Sequence, residues 1–230
     1  STQTVTMTDN GTISITFYDK AENEISVPIT VNNIDRTAPR VSVKVGNSSA
    51  ITNDKVQLTI TAIDDESGVS NIYVSSTELT FNTETISGTG TKISTATFDI
   101  KNNGNYTIQV RDHAGNIINT VAEVSNIDKT APVATVAYST TDYTNKDVTA
   151  TVYFNEPVTI TKITNYEYKN GDWDDKEFTN NEFITTYTTT FTENLKRTIE
   201  YKDEAGNTGS VNVEGKNINR VAPPEAQVTQ

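Results

Sequence analysis

A repeat of about 90 residues constrains the fold of this chain more than any other feature of its sequence. One block, Asp-x-Ala-x-Asn, begins at Asp19, Asp112 and Asp203, so its copies are 93 and 91 residues apart. A second block, Ile-Asp-Arg/Lys-Thr-Ala-Pro, begins at Ile34, Ile127 and, in a varied form, Ile218, with the same two spacings. Two markers that keep the same phase predict a series of like-folded units.

These markers also predict the domain boundaries. Residues 39–131 and 132–223 each form a complete copy, whereas residues 1–38 match only the C-terminal part of one. Residues 224–230 are a tail or the start of a further copy. We therefore expect the chain to be a piece of a longer array, with its N-terminal boundary inside a copy.

Short runs that alternate apolar and polar residues predict strands throughout the chain. One such run in each of the first two copies has the apolar residues Ile13, Ile15 and Phe17, and Tyr106, Ile108 and Val110. No segment of helical length shows a 3.6-residue period. About seven short strands per complete copy, separated by regular turns, predict an all-β fold of tandem immunoglobulin-like β-sandwiches.

Charge and residue types exclude several classes of function. The chain carries 30 acidic and 18 basic side chains, a formal net charge of −12, which argues against binding to nucleic acid phosphates. It contains no Cys, so disulfides and thiolate metal sites are excluded. No apolar run reaches the ~20 residues that a membrane span requires.

Motifs of catalysis are absent from the sequence. The single His, His113, lies inside the first block, where the other copies have Lys20 and Glu204. Three unrelated side chains at one position indicate a solvent-facing residue rather than a general base. The sequence also lacks a Gly-rich phosphate loop, a nucleophile elbow and a zinc motif. We therefore predict that the protein is not an enzyme.

The order of the motifs resembles that of a known family. Thr-Asn-x-x-Val, then Asn-Glu-Pro-Val-Thr at 155–159, Asp-x-Ala-Gly-Asn and Ile-Asp-Lys-Thr-Ala-Pro are similar to the tandem bacterial Ig-like repeats of surface proteins. Asp-Asp-Glu-Ser-Gly-Val at 64–69 resembles a second variant of the same repeat. The resemblance implies an extracellular array, secreted or attached to the cell wall. The resemblance further implies that such an array acts as a stalk, spacer or adhesive module, with neighbouring repeats in the same chain as its partners.

Acidic residues are predicted to meet at the junctions between copies. In a seven-strand immunoglobulin sandwich, the loops after the second and sixth strands lie at the same end as the N-terminus of the domain. Carboxylates from the linker and from these two loops therefore converge. They form two sets, the first of Asp35, Asp64 and Asp112, and the second of Asp128, Glu156 and Asp203.

Two interpretations of these carboxylates stay open. Crowded carboxylates repel one another unless a cation relieves them, and Ca²⁺ accepts 6–8 oxygen ligands in flexible geometry. Calcium, completed by backbone carbonyls or by the side-chain oxygens of Asn116 or Asn207, would then stiffen the array at its junctions; no other cofactor is predicted. The alternative is structural. The Asp of the first block accepts backbone N–H groups in a tight turn with Gly at positive φ, and Asp35 and Asp128 cap the linker turn.

A cluster of aromatic and acidic residues in the third copy includes Tyr166, Tyr168 and Trp173. Aromatic rings beside carboxylates can stack on sugar faces and hydrogen-bond to their hydroxyls. This cluster favours an alternative function, a carbohydrate- or host-ligand-binding accessory module of a secreted enzyme or adhesin. The other interpretation is an Asn-Gly hairpin with Trp173 packed on its own sandwich.

The partial copy, residues 1–38, is predicted to contain about three strands with one apolar face. That face consists of Ile13, Ile15, Phe17, Val27, Ile29 and Val31. Burying such side chains is worth roughly 1.5–3 kcal/mol each, and open strand edges invite pairing. The strands that complete this copy lie upstream in the natural chain, are disordered or cleaved away, or are replaced by a neighbour. For the chain studied alone, we predict a contact between two chains through this segment.

Overall fold

The computed structural model describes residues 4–86, 91–165, 175–176 and 182–224, which form sixteen β-strands and no helix. Nothing in this described part of the chain has the length and hydropathy of a membrane-spanning helix. The strands are β1 (Gly11–Tyr18), β2 (Glu24–Val31), β3 (Arg40–Val45), β4 (Val56–Ile63), β5 (Val69–Val74), β6 (Thr77–Leu79), β7 (Asn82–Thr85), β8 (Lys92–Ile100), β9 (Gly104–Asp112), β10 (Ile117–Val124), β11 (Ala134–Tyr138), β12 (Val148–Asn165), β13 (Asp175–Lys176), β14 (Ile184–Phe191), β15 (Leu195–Lys202) and β16 (Thr208–Gly215).

The chain divides into two compact units. Unit 1 contains Ser1–Ser48 and Val56–Ser125, and unit 2 contains Ser49–Lys55 and Asn126–Gln230. The copy boundaries that the repeat places after residues 38, 131 and 223 stay predictions.

Unit 1 contains a sandwich of two four-stranded sheets, with strand orders β3-β4-β8-β7 and β10-β9-β5-β6. When β3 to β10 are lettered A, B, C, C′, D, E, F and G, these orders read A-B-E-D and G-F-C-C′, which is the immunoglobulin arrangement. Every second residue of a strand points inward, so Leu58, Ile60, Ile72 and Ile108 are completely buried between the sheets. The predicted all-β, immunoglobulin-like sandwich is confirmed.

Unit 2 repeats this arrangement around one long strand. The first half of β12 pairs with β11 and β14, and its second half pairs with β13 and β15, which pairs in turn with β16. The register of β12 against β14 shifts between Tyr153 and Val158, where Pro157 has no N–H to donate to a neighbouring strand. Glu156 therefore lies in an irregular stretch of β12, and its predicted place in a loop is wrong.

Strands β1 and β2 form a separate hairpin in unit 1, hereafter the N-terminal hairpin, residues 11–31. One face carries the apolar cross-strand pairs Ile13–Ile29, Ile15–Val27 and Phe17–Ile25. Phe17 is 48% exposed, whereas its counterpart in the second copy, Val110, is completely buried. The described residues 4–38 contain two strands instead of the predicted three, because the segment before Gly11 pairs with no other strand.

Candidate metal-binding clusters

The Asp-x-Ala-x-Asn block folds into a tight turn. Asp112 accepts the backbone N–H of Asn116 at Oδ1, at 2.8 Å, and its side-chain N–H at Oδ2, at 2.7 Å. Gly115 has a φ of 98°, a left-handed conformation that glycine adopts without strain. Asp203 and Asn207 make the same two bonds, both 2.8 Å long. The prediction that this Asp accepts N–H groups in a tight turn is confirmed.

The linkers ahead of the two sandwiches are capped and tied down. Asp35 and Asp128 each accept the backbone N–H two residues further on at 2.9 Å, so the predicted capping role is confirmed. The side-chain nitrogen of Asn116 also donates to the backbone oxygen of Asp35 at 3.3 Å. The side-chain nitrogen of Asn207 donates to the backbone oxygen of Asp128 at 3.1 Å. The Asn of each turn therefore holds the linker against the sandwich that follows it.

The first predicted acidic set comes together in unit 1. One carboxylate oxygen from each of Asp35, Asp64 and Asp112 lies within 4.8 Å of the other two. Asp64 and Asp112 are buried, with 6% and 1% of their surface exposed. Oδ1 of Asp64 accepts the N–H of Gly68 at 2.6 Å, and Oδ2 of Asp35 accepts that of Ser67 at 3.1 Å. The loop after β4 thus orients two of the three carboxylates of this first cluster.

The second predicted set comes together in unit 2. Oxygens of Asp128, Glu156 and Asp203 also lie within 4.8 Å of one another. Asp203 is buried, and the other two side chains are half-buried. Glu156 stands where the previous copy has Asp64, and it projects from a strand rather than from a loop. The side chain of Glu has one more methylene group than that of Asp, which extends its reach.

A fourth carboxylate, that of Glu66, adjoins the first cluster and was missed in the sequence analysis. It accepts the hydroxyl of Thr37 at 3.4 Å, and its pKa is raised because it shares a hydrogen bond with Asp35 and lies near that negative charge. The pKa of Asp35 is lowered, chiefly by a hydrogen bond from the side chain of Ser67. The residue 92 positions after Glu66 is Val158, which is completely buried, so the equivalent position beside the second cluster carries no carboxylate. The acidic run at 64–66, directly after β4, was the sequence signal by which Glu66 could have been found.

Both clusters have a donor set that suits a hard cation. Two ligands on opposite sides of Ca²⁺ lie about 4.6–5.2 Å apart, given Ca–O distances of about 2.3–2.6 Å. In both clusters the three carboxylate oxygens all lie within 4.8 Å of one another, close enough to share one such ion. A cleft of about 500 Å³ is lined in part by Asp35, the linker residue of the first cluster, and by the adjoining Glu66. Asn116 and Asn207 direct their amide nitrogens toward the carboxylates, so these amides stabilise the acids rather than supply ligand oxygens.

The remaining candidate residues lie elsewhere. Tyr166, Tyr168 and Trp173 fall in 166–174, outside the described residues. His113 is exposed, and its Nδ1 lies 3.0 Å from the carbonyl oxygen of Gly68, within the loop region of unit 1.

Comparison with known proteins assigns no family to the chain. No family model matches it, and no curated protein does. Among solved structures, the full ectodomain of mouse nectin-like molecule 4 (Ig1–Ig3) is similar, with 13% identity, a TM-score of 0.33 and coverage of 76% of this chain and 62% of that one. The adhesin InvE of Yersinia pseudotuberculosis gives 15% identity, a TM-score of 0.27 and coverage of 76% and 58%. The chain therefore spans less than two thirds of either protein. Both TM-scores are low, and the immunoglobulin-like assignment rests on the strand orders.

Proposed function

We propose that the chain is a non-catalytic stalk or spacer segment of an extracellular bacterial surface protein, with other Ig-like repeats as its immediate partners. The observation that carries the proposal is the pair of equivalent linker contacts, Asn116 to Asp35 and Asn207 to Asp128. A spacer requires linkers that resist bending, and each contact ties a linker to the sandwich that follows. Proline after Thr-Ala in the linkers supports the same role, because it restricts φ and biases the preceding residue toward extended conformations.

Single-molecule stretching of the whole chain tests the spacer role. Two sandwiches that bury separate cores should unfold in two discrete events, each releasing about 90 residues, or about 300 Å of extended chain. Leu58→Ala should weaken only one event, because Leu58 is completely buried in unit 1. Extension without discrete events would overturn the proposal.

Calcium is part of this proposal. The residues that would hold it are the first cluster (Asp35, Asp64, Asp112) and the second cluster (Asp128, Glu156, Asp203). A divalent ion bound there would offset the repulsion between buried carboxylates and would join each linker Asp to two positions on the following sandwich. Because the ion would bind the folded chain alone, it would also raise the unfolding temperature.

The calcium proposal is tested by titrating the chelator-treated chain with Ca²⁺ in a calorimeter and by measuring its unfolding temperature. We expect two ions per chain and an increase in Tm. Asp112→Asn should leave one ion. The matched control is Asp19→Asn, because Asp19 accepts the same hydrogen bonds in the turn of the first copy but belongs to neither cluster. Binding that is absent, or equally lost in both variants, would refute calcium binding at these clusters.

The second candidate function is binding of a carbohydrate or host ligand by an accessory module. It rests on the sequence cluster of Tyr166, Tyr168 and Trp173 alone. Comparing the parent chain with Trp173→Ala on a glycan array tests it. Binding by the parent that the variant loses would support this function, and absence of binding by the parent would argue against it.

A further inference from the structure

Unit 2 contains a contact between a Thr-Asn segment and an Asp-x-Ala-Gly-Asn turn. The backbone N–H of Asn53 donates to the carbonyl oxygen of Ala205 at 3.1 Å. Gly206, next to Ala205, has a φ of 94°, and a Cβ added to it would lie 3.6 Å from Nδ2 of Asn53. The turn therefore brings its backbone against Asn53, and its positive φ is the feature that favours glycine at position 206.

The Asn53 segment is held in place by its own backbone. Thr52 donates its N–H to the oxygen of Asn126 at 3.0 Å and accepts the N–H of Asp128 at 2.9 Å. The hydroxyl of Thr52 accepts the N–H of Asp54 at 3.1 Å. These three bonds fix the direction of the neighbouring Asn53 N–H. We call this arrangement a Thr-Asn platform.

A second Thr-Asn platform occurs 92 residues later, at Thr144-Asn145. Thr144 donates to the oxygen of Asn217 at 3.0 Å and accepts the N–H of Asn219 at 2.8 Å. Its hydroxyl accepts the N–H of Lys146 at 3.0 Å. The three bonds that orient Asn53 are thus reproduced around Asn145, with a parallel bridge to the following strand segment in both cases.

The second platform carries no turn within the described part of the chain. Asn145 is exposed, and no described residue accepts its backbone N–H. The adjacent Tyr143 is 84% exposed, at the position that Ile51 occupies beside the first platform. An exposed aromatic ring beside an oriented donor offers a partner both apolar area and a hydrogen bond.

The turn that fits this platform is also formed before it docks. In the turn of unit 1, the backbone N–H of Asp112 donates to the carbonyl oxygen of Asn116 at 3.1 Å. In the docked turn, the equivalent bond from Asp203 to Asn207 is 3.0 Å long. Gly115, in the turn of unit 1, has a φ of 98°, compared with 94° for Gly206. Ala114 is exposed, whereas Ala205 is half-buried. Because both partners hold their bound conformations beforehand, docking requires little further ordering.

We infer that Thr144-Asn145 is a docking position for the Asp-x-Ala-Gly-Asn turn of a further copy of this repeat. The Asn145 N–H donates to the carbonyl of the incoming Ala, as Asn53 does to Ala205. The inference deepens the proposed spacer function and rests on it, because the occupant is another repeat of the same array. It specifies how one repeat is attached to the next.

Amide hydrogen exchange tests the inference. In the chain itself, Asn53 should exchange slowly and Asn145 rapidly. We then extend the chain by repeating residues 133–224 directly after Pro223. In this extended chain the amide exchange of Asn145 should slow by about tenfold or more, toward the rate of Asn53. Rapid exchange of Asn145 in the extended chain would overturn the inference.

A matched control separates docking from the mere presence of another domain. In the extended chain, the added copy would carry Val in place of its counterpart of Gly206, so that its turn cannot adopt the positive φ. The amide of Asn145 should then still exchange rapidly. Slow exchange of Asn145 in this variant would also overturn the inference. Stretching the extended chain distinguishes the two failures. Three unfolding events with a rapid Asn145 would refute docking alone, whereas absent events would refute the spacer function.

Discussion

The side chain of Asn207 donates to Oδ2 of Asp203 at 2.8 Å. The same nitrogen donates to the backbone oxygen of Asp128 at 3.1 Å, so one amide joins a buried carboxylate to the linker. A hydrogen bond to a charged group stabilises a fold more than a neutral one, and a buried carboxylate that loses its donor bears a desolvation cost.

We expect Asn207→Ala to lower the free energy of unfolding of unit 2 by about 1.5–3 kcal/mol, because Asp203 loses a donor and the linker loses an attachment. Amide exchange at Ile199, which is completely buried in unit 2, measures the change. Asn23→Ala is the matched control, since Asn23 makes the same bond to Asp19 in the N-terminal hairpin. Equal exchange of Ile199 in the two variants would contradict the linker role.

Gly215→Ala is expected to destabilise unit 2 by about 1–3 kcal/mol through overpacking. A Cβ at Gly215 would lie 2.4 Å from Cβ of Phe191, which is 1% exposed and cannot move outward. Ser210→Ala is the control, because Ser210 lies on the same strand β16 with an exposed side chain. Thermal unfolding should show a lower Tm for Gly215→Ala only. A variant as stable as the parent would mean that β16 and Phe191 are less closely packed than described.

The N-terminal hairpin should lose stability in acid because of Asp19. The pKa of Asp19 is lowered from 3.8, first by the hydrogen bond from the Asn23 side chain and then by backbone N–H groups of Asn23 and Ala21. A lowered pKa means that the folded hairpin prefers the carboxylate. Its contribution to stability is therefore present above about pH 3.9 and is lost as the pH falls through the lowered pKa.

A carbon-detected NMR titration of the Asp19 carboxyl measures this pKa. The midpoint should lie below 3.8 in the parent and rise toward 3.8 in Asn23→Ala, because the largest stabilising bond is removed. A parent midpoint at or above 3.8 would contradict the hydrogen-bonded turn.

The apolar face of the N-terminal hairpin should drive association of two chains. Ile25 is 64% exposed and Val27 is 43% exposed, so water contacts a continuous apolar surface that a second copy of the hairpin can cover. Light scattering should show a concentration-dependent dimer, and Val27→Thr with Ile29→Thr should leave a monomer. Thr12→Ser with Thr30→Ser, on the opposite face, should not change the dimer. A parent that stays monomeric at high concentration would exclude this contact.

Much of the candidate site could be predicted because it depends on topology and spacing. An immunoglobulin sandwich places particular loops at one end, so a repeat spaced by 91 to 93 residues was sufficient to group Asp35 with Asp64 and Asp112. Glu66 was missed, because its proximity to Asp35 depends on the path of the loop after β4 rather than on the repeat. The place of Glu156 in a strand was also missed, because Pro157 interrupts pairing locally while β12 continues from one sheet to the other.

The sequence by itself determined the 93- and 91-residue spacings of its recurring blocks, the strand periodicity and the turn at each Asp-x-Ala-x-Asn block. These features depend on residues close together in the chain or on a spacing that recurs along it. Only the tertiary structure decided which carboxylates are buried, which way Asn116 and Asn207 turn their amides, and that Asn53 meets Ala205 while Asn145 stays exposed. Burial and hydrogen-bond direction depend on which distant segments pack together, and that information is not periodic along the chain.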